Sequence, residues 1–231
     1  MAGSVTNPAA VIRSRREVVQ HAAAFQFIVD QFVKQCKPMS ESLIKETHRI
    51  LTFGLSGVDA GNISNRSFGG VYRSGNELAF AGSLEYTRPA DIPKAMRATV
   101  ESLQRDIAAI ENTGVIDPFM LAAKYCDRFV NIHPFKDGNG RMCRLILNTI
   151  LIKYAGIVIS LGEKGDERDE YLLIAQESTL SGGHAGQLGK KVLDLAHQTL
   201  RGLKEKLLRR LDQRVEKDRQ ERSQTNEESW F

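Results

Sequence analysis

A short stretch near the middle of the chain places a histidine, a carboxylate, glycines and two arginines close together. His133 stands at the expected end of a buried helix, and its imidazole titrates near neutral pH, so it could take a proton from an attacking hydroxyl. Asn139 lies between Gly138 and Gly140, just before a helix that is predicted to open at Arg141. Glycines let backbone N–H groups turn toward one point, and a helix N-terminus adds unpaired donors. The stretch therefore indicates a phosphate-binding loop beside a general base.

Three charged side chains extend this interpretation to a metal-bound nucleotide. Arg141 and Arg144 lie three residues apart in the first helical turn and share a face, so both guanidinium groups could bind phosphate oxygens. Asp137 directly precedes the glycines. A single carboxylate beside phosphates is a common protein contribution to a Mg²⁺ site. The sequence therefore predicts a nucleotide bound together with Mg²⁺.

Residues 133–144, HPFKDGNGRMCR, resemble the Fic family motif HxFx(D/E)GNGRxxR at every defined position. The surrounding segments, from about residue 15 to 185, resemble the Fic core in the same order. The resemblance implies an all-α Fic fold, a bundle of six or more helices with a short β-hairpin flap. It also implies a protein adenylyltransferase, which transfers AMP from Mg-ATP to a Ser, Thr or Tyr hydroxyl of a target protein and releases pyrophosphate.

The resemblance assigns roles to individual positions. It implies a metal ligand at Asp137 and an anchoring role for Phe135, which would hold the loop in the core. Catalytic roles fall on His133, Asn139, Arg141 and Arg144. Nucleotide contacts fall on Gly138, Asn139, Gly140, Arg141, Arg144 and Tyr171, although Tyr171 is equally consistent with packing. A flap that aligns the target by strand pairing would use Tyr72, Arg73, Leu78, Ala79, Phe80 and Ala81. The remaining histidines are interpreted as structural: His21, His48, His184 and His197.

Apolar spacing predicts the elements that position these residues. Asp117 is expected to cap a helix that has Pro118 at its first position and ends near Ile132, and Ser40 is expected to cap another helix that ends before Gly54. Further helices are predicted over residues 15–35, 92–110, 141–154 and 166–177. A hairpin is predicted in which residues 71–73 pair with residues 78–81.

The chain divides into three parts in this interpretation: an N-terminal segment over residues 1–14 that is expected to be disordered, a Fic domain over residues 15–185, and a charged helix and tail over residues 186–231. Leucines recur near heptad positions in the third part, at Leu193, Leu200, Leu203, Leu207 and Leu211. The run is too short to establish a coiled coil. A helix packed on the body is favoured over a homodimer seam, and a homodimer stays open.

Composition sets limits on function. The chain has 231 residues, 42% hydrophobic and 26% charged, and its net charge of +4 is spread along the sequence. This distribution gives no indication of nucleic acid as a partner. The three cysteines lack CxxC spacing, so neither a disulfide framework nor a zinc site is indicated. No apolar run has the character of a signal peptide or a membrane span. A cytoplasmic protein without a membrane partner is expected.

Several alternatives concern activity and target. Many Fic proteins carry an inhibitory (Ser/Thr)xxxGlu(Gly/Asn) motif, and the only Glu followed by Gly or Asn here is Glu111, which has Ile107 where Ser or Thr should stand. The sequence therefore favours a form without self-inhibition, and a de-AMPylating hydrolase is less favoured. A Fic-fold interaction module with an idle site stays open. Heat-shock chaperones and small GTPases are target types of the family, and no residue selects between them.

Overall fold

Helices make up most of the computed structural model, which describes residues 8–55, 68–81, 84–162, 165–180 and 185–228. The predicted all-α class is confirmed. Within the described ranges the helices are α1 (Pro8–Val29), which continues into a π-helical turn (Asp30–Lys34), α2 (Glu41–Leu51), α3 (Ile92–Thr113), α4 (Pro118–Ile132), α5 (Asn139–Ala155), α6 (Asp166–Leu180) and α7 (Gly186–Glu228). A two-stranded antiparallel ribbon joins β1 (Phe80–Ala81) to β2 (Leu84–Glu85).

The centre of the molecule is α5, which is buried on nearly all sides. Met142, Leu145, Leu147, Ile150 and Leu151 are all almost inaccessible to solvent. A helix that is apolar around its whole circumference belongs inside a fold. α5 packs on α4 and α1, and α4 packs in turn on α3, α6 and α7. The loop between α4 and α5 therefore connects two well-packed helices, which limits its freedom to move.

Both predicted N-caps are present. The Ser40 hydroxyl accepts a hydrogen bond from the Leu43 N–H at 3.1 Å. Asp117 Oδ1 accepts from the N–H groups of Phe119 and Met120 at 3.1 and 2.9 Å. A short polar side chain at this position pairs donors that the first helical turn leaves open. α4 ends at Ile132 as predicted, whereas α1 begins at Pro8, earlier than the expected start near residue 15.

The predicted register of the β-hairpin is wrong. Tyr72 forms an antiparallel bridge with Phe135, and the Arg73 N–H donates to the Pro134 carbonyl at 2.8 Å. The strands that pair with each other are β1 and β2, with Phe80 opposite Glu85. Tyr72 and Arg73 thus pair their backbone groups with the α4–α5 loop, a partner distant in sequence that local turn signals do not reveal.

Cys126 of α4 and Cys143 of α5 are both fully buried and form a disulfide between the two helices. Their Cα atoms are 5.2 Å apart, a usual separation for this bond. This pair could not be predicted, because a spacing of 17 residues becomes a contact only when α4 and α5 lie side by side. The expectation from cysteine spacing is corrected here. Cys36 is exposed and is not part of a disulfide.

No helix in the part of the chain that the structure describes combines the length and the apolar character needed to cross a bilayer.

Candidate active site

His48 of α2 holds the loop between α4 and α5 in place. The Gly70 N–H donates to His48 Nδ1 at 2.9 Å, so Nδ1 acts as an acceptor and the ring proton lies on Nε2. Nε2 is 2.8 Å from the Asp137 carbonyl, to which it donates. The imidazole also stacks on the Phe135 ring, with centroids 3.6 Å apart. His48 was interpreted as structural with no nameable partner, and the structure shows that it positions the motif loop.

Asn139 closes the same loop from the other side. Its Nδ2 donates to the Phe135 carbonyl at 2.7 Å, and its Oδ1 accepts from the Phe135 N–H at 2.9 Å. Both residues are buried, so each of these hydrogen bonds pairs a group that water does not reach. The Phe135 ring anchors the loop in the core, which fits the role expected from the sequence. The Asn139 side chain therefore fixes the shape of the loop, and both of its polar atoms are occupied in doing so.

The N-terminus of α5 provides unpaired backbone donors. The first hydrogen bond within α5 runs from the Met142 N–H to the Gly138 carbonyl at 2.8 Å. The N–H groups of Asn139, Gly140 and Arg141 precede it and have no acceptor inside the helix. Gly138 turns the chain into the helix at φ +81°, a conformation that favours glycine. This geometry is suited to an anion, as the sequence predicted.

Asp137 of the loop and Arg141 in the first turn of α5 face each other beside these donors. Asp137 Oδ2 lies 3.1 Å from Arg141 Nη2, and Asp137 Oδ1 accepts from the Gly138 N–H at 2.6 Å. Arg141 Nη1 is buried and makes no hydrogen bond within the described residues. A buried guanidinium donor without an acceptor is costly unless an anion completes it. Arg141 is therefore a candidate phosphate ligand in this geometry.

The Asp137 carboxylate fits the requirements of a Mg²⁺ ligand. Its side chain is 44% exposed, at the edge of the helix N-terminus. Mg²⁺ keeps several waters and is usually bound through one or two carboxylates together with substrate phosphates. No group of three or more His, Cys, Asp or Glu side chains that could hold a metal occurs among the residues described by the structure. A metal at Asp137 would accordingly depend on phosphate oxygens for most of its ligands.

One face of α1 also borders the site, which was not predicted from the sequence. Arg13 Nη2 lies 3.7 Å from Asp137 Oδ2, and Glu17 Oε1 lies 3.9 Å from Arg141 Nη1. His21 follows on the same face, and its pKa is lowered by burial and by the charges of Arg144 and Arg141. Residues four apart stack along a helix. The four-residue spacing of Arg13, Glu17 and His21 along α1 was the signal that could have revealed these neighbours.

His133 has an unusual backbone conformation and a shielded imidazole. It ends α4 at φ 50° and ψ 56°, in the left-handed region that residues other than glycine seldom adopt. Its ring stacks on Tyr86 with centroids 4.2 Å apart. Nδ1 is buried and has no hydrogen-bond partner among the described residues. Strained backbone of this kind often occurs at functional positions.

The imidazole of His133 is neutral near pH 7. Burial, followed by the nearby Arg73 charge, lowers its pKa to about 4. The charge of Asp137 and the Val130 carbonyl oppose this shift, although the carbonyl lies outside hydrogen-bond geometry. A neutral imidazole has a lone pair free to accept a proton. The geometry is thus compatible with the general-base role expected from the sequence.

Arg73 ties the flap to the end of α4. Its guanidinium group is buried and donates to the carbonyls of His133, Ile132, Glu77 and Thr87. These bonds occupy the fork of the side chain. We therefore expect Arg73 to support the flap and the end of α4, and its contribution to target binding to be indirect.

The other flap residues divide between interior and surface. The Tyr72 ring is half-buried against Phe135, with centroids 5.4 Å apart. Leu78 and Phe80 are 50% and 56% exposed. The Ala79 carbonyl accepts from the Tyr86 N–H at 3.0 Å, next to β1, which includes Ala81. The exposed residues are thus the ones that a target segment could reach.

Tyr171 is buried, and Arg144 is partly buried. Tyr171 is 4% exposed, and its hydroxyl is 3.5 Å from Cys143 Sγ. Burial raises the pKa of Tyr171 to about 12. Arg144 is close enough for its charge to act on both Tyr171 and His21. Packing accounts for the observed position of Tyr171, and its contact with a nucleotide base stays a prediction.

Gly138→Ala should distort the loop. A Cβ at Gly138 would lie 3.2 Å from His48 Nε2 and 3.4 Å from Thr52 Cγ2, at a φ of +81°. The left-handed conformation alone costs about 1–2 kcal/mol for a residue with a Cβ. We expect the free energy of unfolding to fall by at least this amount in urea titrations. Gly140→Ala is the control, because a Cβ there meets only Arg144 Nη1 at 3.9 Å, and equal stability of the two variants would contradict the packing described.

The stability of the protein should fall in mild acid. Burial lowers the pKa of His48 to about 4, and the same holds for His133. Between about pH 6.5 and pH 4 the unfolded chain binds protons at these groups that the folded chain excludes, so the stabilisation is complete above pH 6.5 and is lost as the pH falls. For His48 the loss should reach about 2 kcal/mol at pH 5. Urea unfolding at pH 7 and pH 5 measures it. His48→Gln should reduce the pH dependence, and a free energy of unfolding that does not change with pH would refute the assignment.

A family model described as the Fic/DOC family matches residues 38–151. The match includes α2 with His48, the flap, and the loop from His133 into α5. The residues that hold the loop therefore lie within the matched segment, whereas the α1 residues that border the site, Arg13, Glu17 and His21, lie outside it.

Two relatives illustrate the sequence similarity. A Fido domain-containing protein of Dictyostelium discoideum is 32% identical over 129 residues, which cover 55% of this chain and 86% of that protein. Protein adenylyltransferase fic-1 of Caenorhabditis elegans is 29% identical over 147 residues, which cover 63% of this chain and 26% of that protein. The chain thus spans most of the first relative and about a quarter of the second.

Two solved structures share the architecture. A fragment of Fic-1 from C. elegans has a TM-score of 0.65 at 24% identity, over 87% of this chain and 53% of that one. A Fic domain containing signaling protein from Bacteroides thetaiotaomicron has a TM-score of 0.61 at 23% identity, over 86% of this chain and 70% of that one. At these identities the similarity establishes the fold.

Proposed function

The chain belongs to the Fic/DOC family, and from this premise we propose that it is a protein adenylyltransferase that transfers AMP from Mg-ATP to a Ser, Thr or Tyr hydroxyl of a target protein. The observation that carries the proposal is the juxtaposition of two features. His133, neutral and with Nδ1 buried, ends α4, and the N–H groups at the start of α5 follow it across one short loop. A general base placed one loop away from an anion site suits phosphate-transfer chemistry.

Phosphate binding in this proposal rests on the backbone and on two arginines. The N–H groups of Asn139, Gly140 and Arg141 would bind the α- and β-phosphates, and Gly138 provides the turn that aims them. The side chains of Arg141 and Arg144 would take the remaining negative charge. His48 and Asn139 keep these donors in place through their hydrogen bonds to the loop. The site is thus organised before the nucleotide arrives, which lowers the cost of binding.

The chemical step moves one proton and exchanges one bond. The target hydroxyl oxygen attacks the α-phosphorus, and its bond to phosphorus forms as the bond to the pyrophosphate oxygen breaks. His133 would accept the hydroxyl proton on Nε2, since Nδ1 is buried. Positioning and charge neutralisation supply most of the catalysis in reactions of this type. Asp137 would hold Mg²⁺, which neutralises phosphate charge when bound.

The target would bind along the flap. Leu78 and Phe80 present exposed side chains next to β1, and strand addition at such an edge uses backbone hydrogen bonds and is largely independent of target sequence. Arg73 and Tyr72 would brace the flap from inside. Heat-shock chaperones and small GTPases are the target types that we would screen first.

Labelled ATP tests the proposed reaction. The purified chain is incubated with Mg²⁺ and candidate targets, together with ATP that carries the label on either the α- or the γ-phosphate. AMP transfer predicts protein-bound label from the α-position only. Label from the γ-position only would indicate a kinase. If neither label is retained while bound ATP is detected by calorimetry and AMP-modified substrates are hydrolysed, a de-AMPylating hydrolase is favoured. Absence of nucleotide binding would leave a Fic-fold interaction module.

A further inference from the structure

The second half of α7, taken as residues 200–217, extends away from the body of the molecule. Leu188, Val192 and Ala196 in the first half are buried against the core, whereas no residue from 200 to 217 is buried. Isolated helices are marginally stable in water, and most helices in proteins gain stability by packing an apolar face. Within the described part of the chain nothing covers residues 200–217, which points to a partner outside the chain.

This segment is amphipathic. At about 100° per residue, its large apolar side chains fall within an arc of about 140° around the helix. Each is about half exposed: Leu200, Leu203, Leu207, Leu208, Leu211 and Val215. Lys204 and Arg214 fall in the same arc, and their long aliphatic stems can cover apolar surface while the charged ends reach water. The apolar stripe formed by these six residues is wide enough to pack against one further helix.

The two flanks of the apolar stripe differ in charge. One flank holds the acidic residues Glu205, Asp212 and Glu216, together with Arg201 and Arg209. Arg209 lies 3.8 Å from Glu205 and is partly compensated by it. The opposite flank is purely basic and holds Lys206, Arg210 and Lys217. Such an asymmetry affects which helices can lie beside this one, because residues that border an apolar seam face the flanks of the partner.

We propose that the second half of α7 pairs in parallel with the same segment of a second copy of this chain. In two parallel helices related by a two-fold axis along their length, the acidic flank of one lies beside the basic flank of the other at both edges of the seam. An antiparallel pair would place like flanks together. The charge pattern therefore selects both the partner and its direction.

The apolar area is large enough for a reversible dimer. Six half-exposed side chains from each copy would bury a total of about 1,000 Å², at the lower end of specific protein–protein interfaces. The dimer would leave the loop between α4 and α5 free, because the seam begins beyond the part of α7 that packs on α4. The inference is independent of the proposed reaction, and it stands or falls on association alone.

Sedimentation of the full chain between about 1 and 100 μM tests the proposal first, a range that brackets the micromolar affinity of modest interfaces. A rise from monomer to dimer mass is expected. Leu207→Glu with Leu211→Glu should raise the dimer dissociation constant by at least about 100-fold, since both lie at the centre of the seam. Val18→Glu, at a side chain on α1 that is 71% exposed, is the control and should leave it unchanged. A monomer at every concentration would overturn the proposal.

Charge reversal tests the role of the flanks. One variant carries Lys206→Glu, Arg210→Glu and Lys217→Glu, and a second carries Glu205→Lys, Asp212→Lys and Glu216→Lys. Each variant should be monomeric by itself, because both of its flanks carry charge of the same sign and would repel across a homodimer. An equimolar mixture of the two variants should form a one-to-one dimer. Dimers of either variant alone, as stable as the unaltered dimer, would contradict the proposed pairing.

Cross-linking tests the direction. In a background with Cys36→Ser, Leu200→Cys and Val215→Cys are made as separate variants. A parallel pair places each new cysteine beside its own counterpart, so both variants should form disulfide dimers by themselves. Cross-linking only when the two variants are mixed would show an antiparallel pair and refute the proposed direction. If the chain stays monomeric and binds vesicles of anionic lipid through the apolar stripe, the partner is a membrane surface and the proposed dimer is refuted.

Discussion

His133→Ala is expected to lower AMP transfer by about 10²–10⁴-fold, the usual contribution of a positioned general base. The imidazole is neutral because burial and the Arg73 charge lower its pKa to about 4, and no other described side chain of the loop offers an equivalent proton acceptor at the end of α4. ATP affinity should change by less than about threefold, since the phosphate donors belong to the start of α5. Initial rates with α-labelled ATP and calorimetric binding measure the two quantities.

The control for this variant is His197→Ala, an exposed histidine on α7. It removes the same side chain at a position remote from the loop and should leave the rate unchanged. A His133→Ala protein that keeps more than about a tenth of the original rate would remove the general base from the account. Loss of ATP binding in parallel with the rate would instead assign His133 a role in holding the loop.

Asn139→Asp is expected to have the second largest effect, on both stability and activity. The substitution keeps the size of the side chain but removes the amide that donates to the Phe135 carbonyl at 2.7 Å, and it places a carboxylate oxygen there. Leaving such a buried carbonyl unpaired costs about 1–3 kcal/mol, and more when a charge is introduced. The first N–H groups of α5 should lose their alignment, so AMP transfer should fall by about 100-fold, as when preorganised donors are displaced.

Asn148→Asp provides a matched control. Asn148 clamps the backbone of Ile159 in the same way, donating at 3.0 Å and accepting at 2.8 Å, and it also donates to the Arg144 carbonyl at 3.2 Å. Urea unfolding should report similar losses of stability for the two variants. Only Asn139→Asp should lose most of its activity at a temperature where both are folded. Equal activities would mean that the Asn139 clamp contributes to stability alone.

Local signals were sufficient for the helices and for the motif. Ser40 and Asp117 are caps because a short polar side chain pairs the open donors of a first turn, and this depends only on neighbours in sequence. The same is true of the N-terminus of α5, where Gly138 supplies a left-handed turn. The motif was informative because its residues act within one loop and one helical turn. Chemistry confined to so short a stretch is visible without a fold.

The support of that loop could not be predicted, because it comes from distant parts of the chain. His48 is 89 residues from Asp137 in sequence, and its tautomer is set by Gly70 from a third segment. Arg73 was expected to touch a target, yet its donors are occupied by backbone carbonyls around the end of α4. Neither residue has a local pattern that distinguishes it from an ordinary buried or exposed side chain.

The packing between helices could not be predicted from the sequence either. Glu17 reaches Arg141 only because α1 crosses α5, and Cys126 meets Cys143 only because α4 and α5 lie side by side. The hairpin register was missed for a related reason. Residues 71–73 were given a partner close in sequence, whereas Arg73 pairs with Pro134 from the motif loop. Periodicity predicts which face of a helix is buried, and it does not say which helix covers that face.

Intact mass spectrometry after reaction in an equal mixture of ATP, GTP, CTP and UTP with Mg²⁺ tests the central claim most directly. It identifies the donor and the transferred group in one spectrum, on the target or on the chain itself. The account predicts an increase equal to one AMP per modified hydroxyl, and no such increase with His133→Ala. An increase equal to phosphate or to another nucleotide, or an AMP adduct that persists without His133, would contradict it.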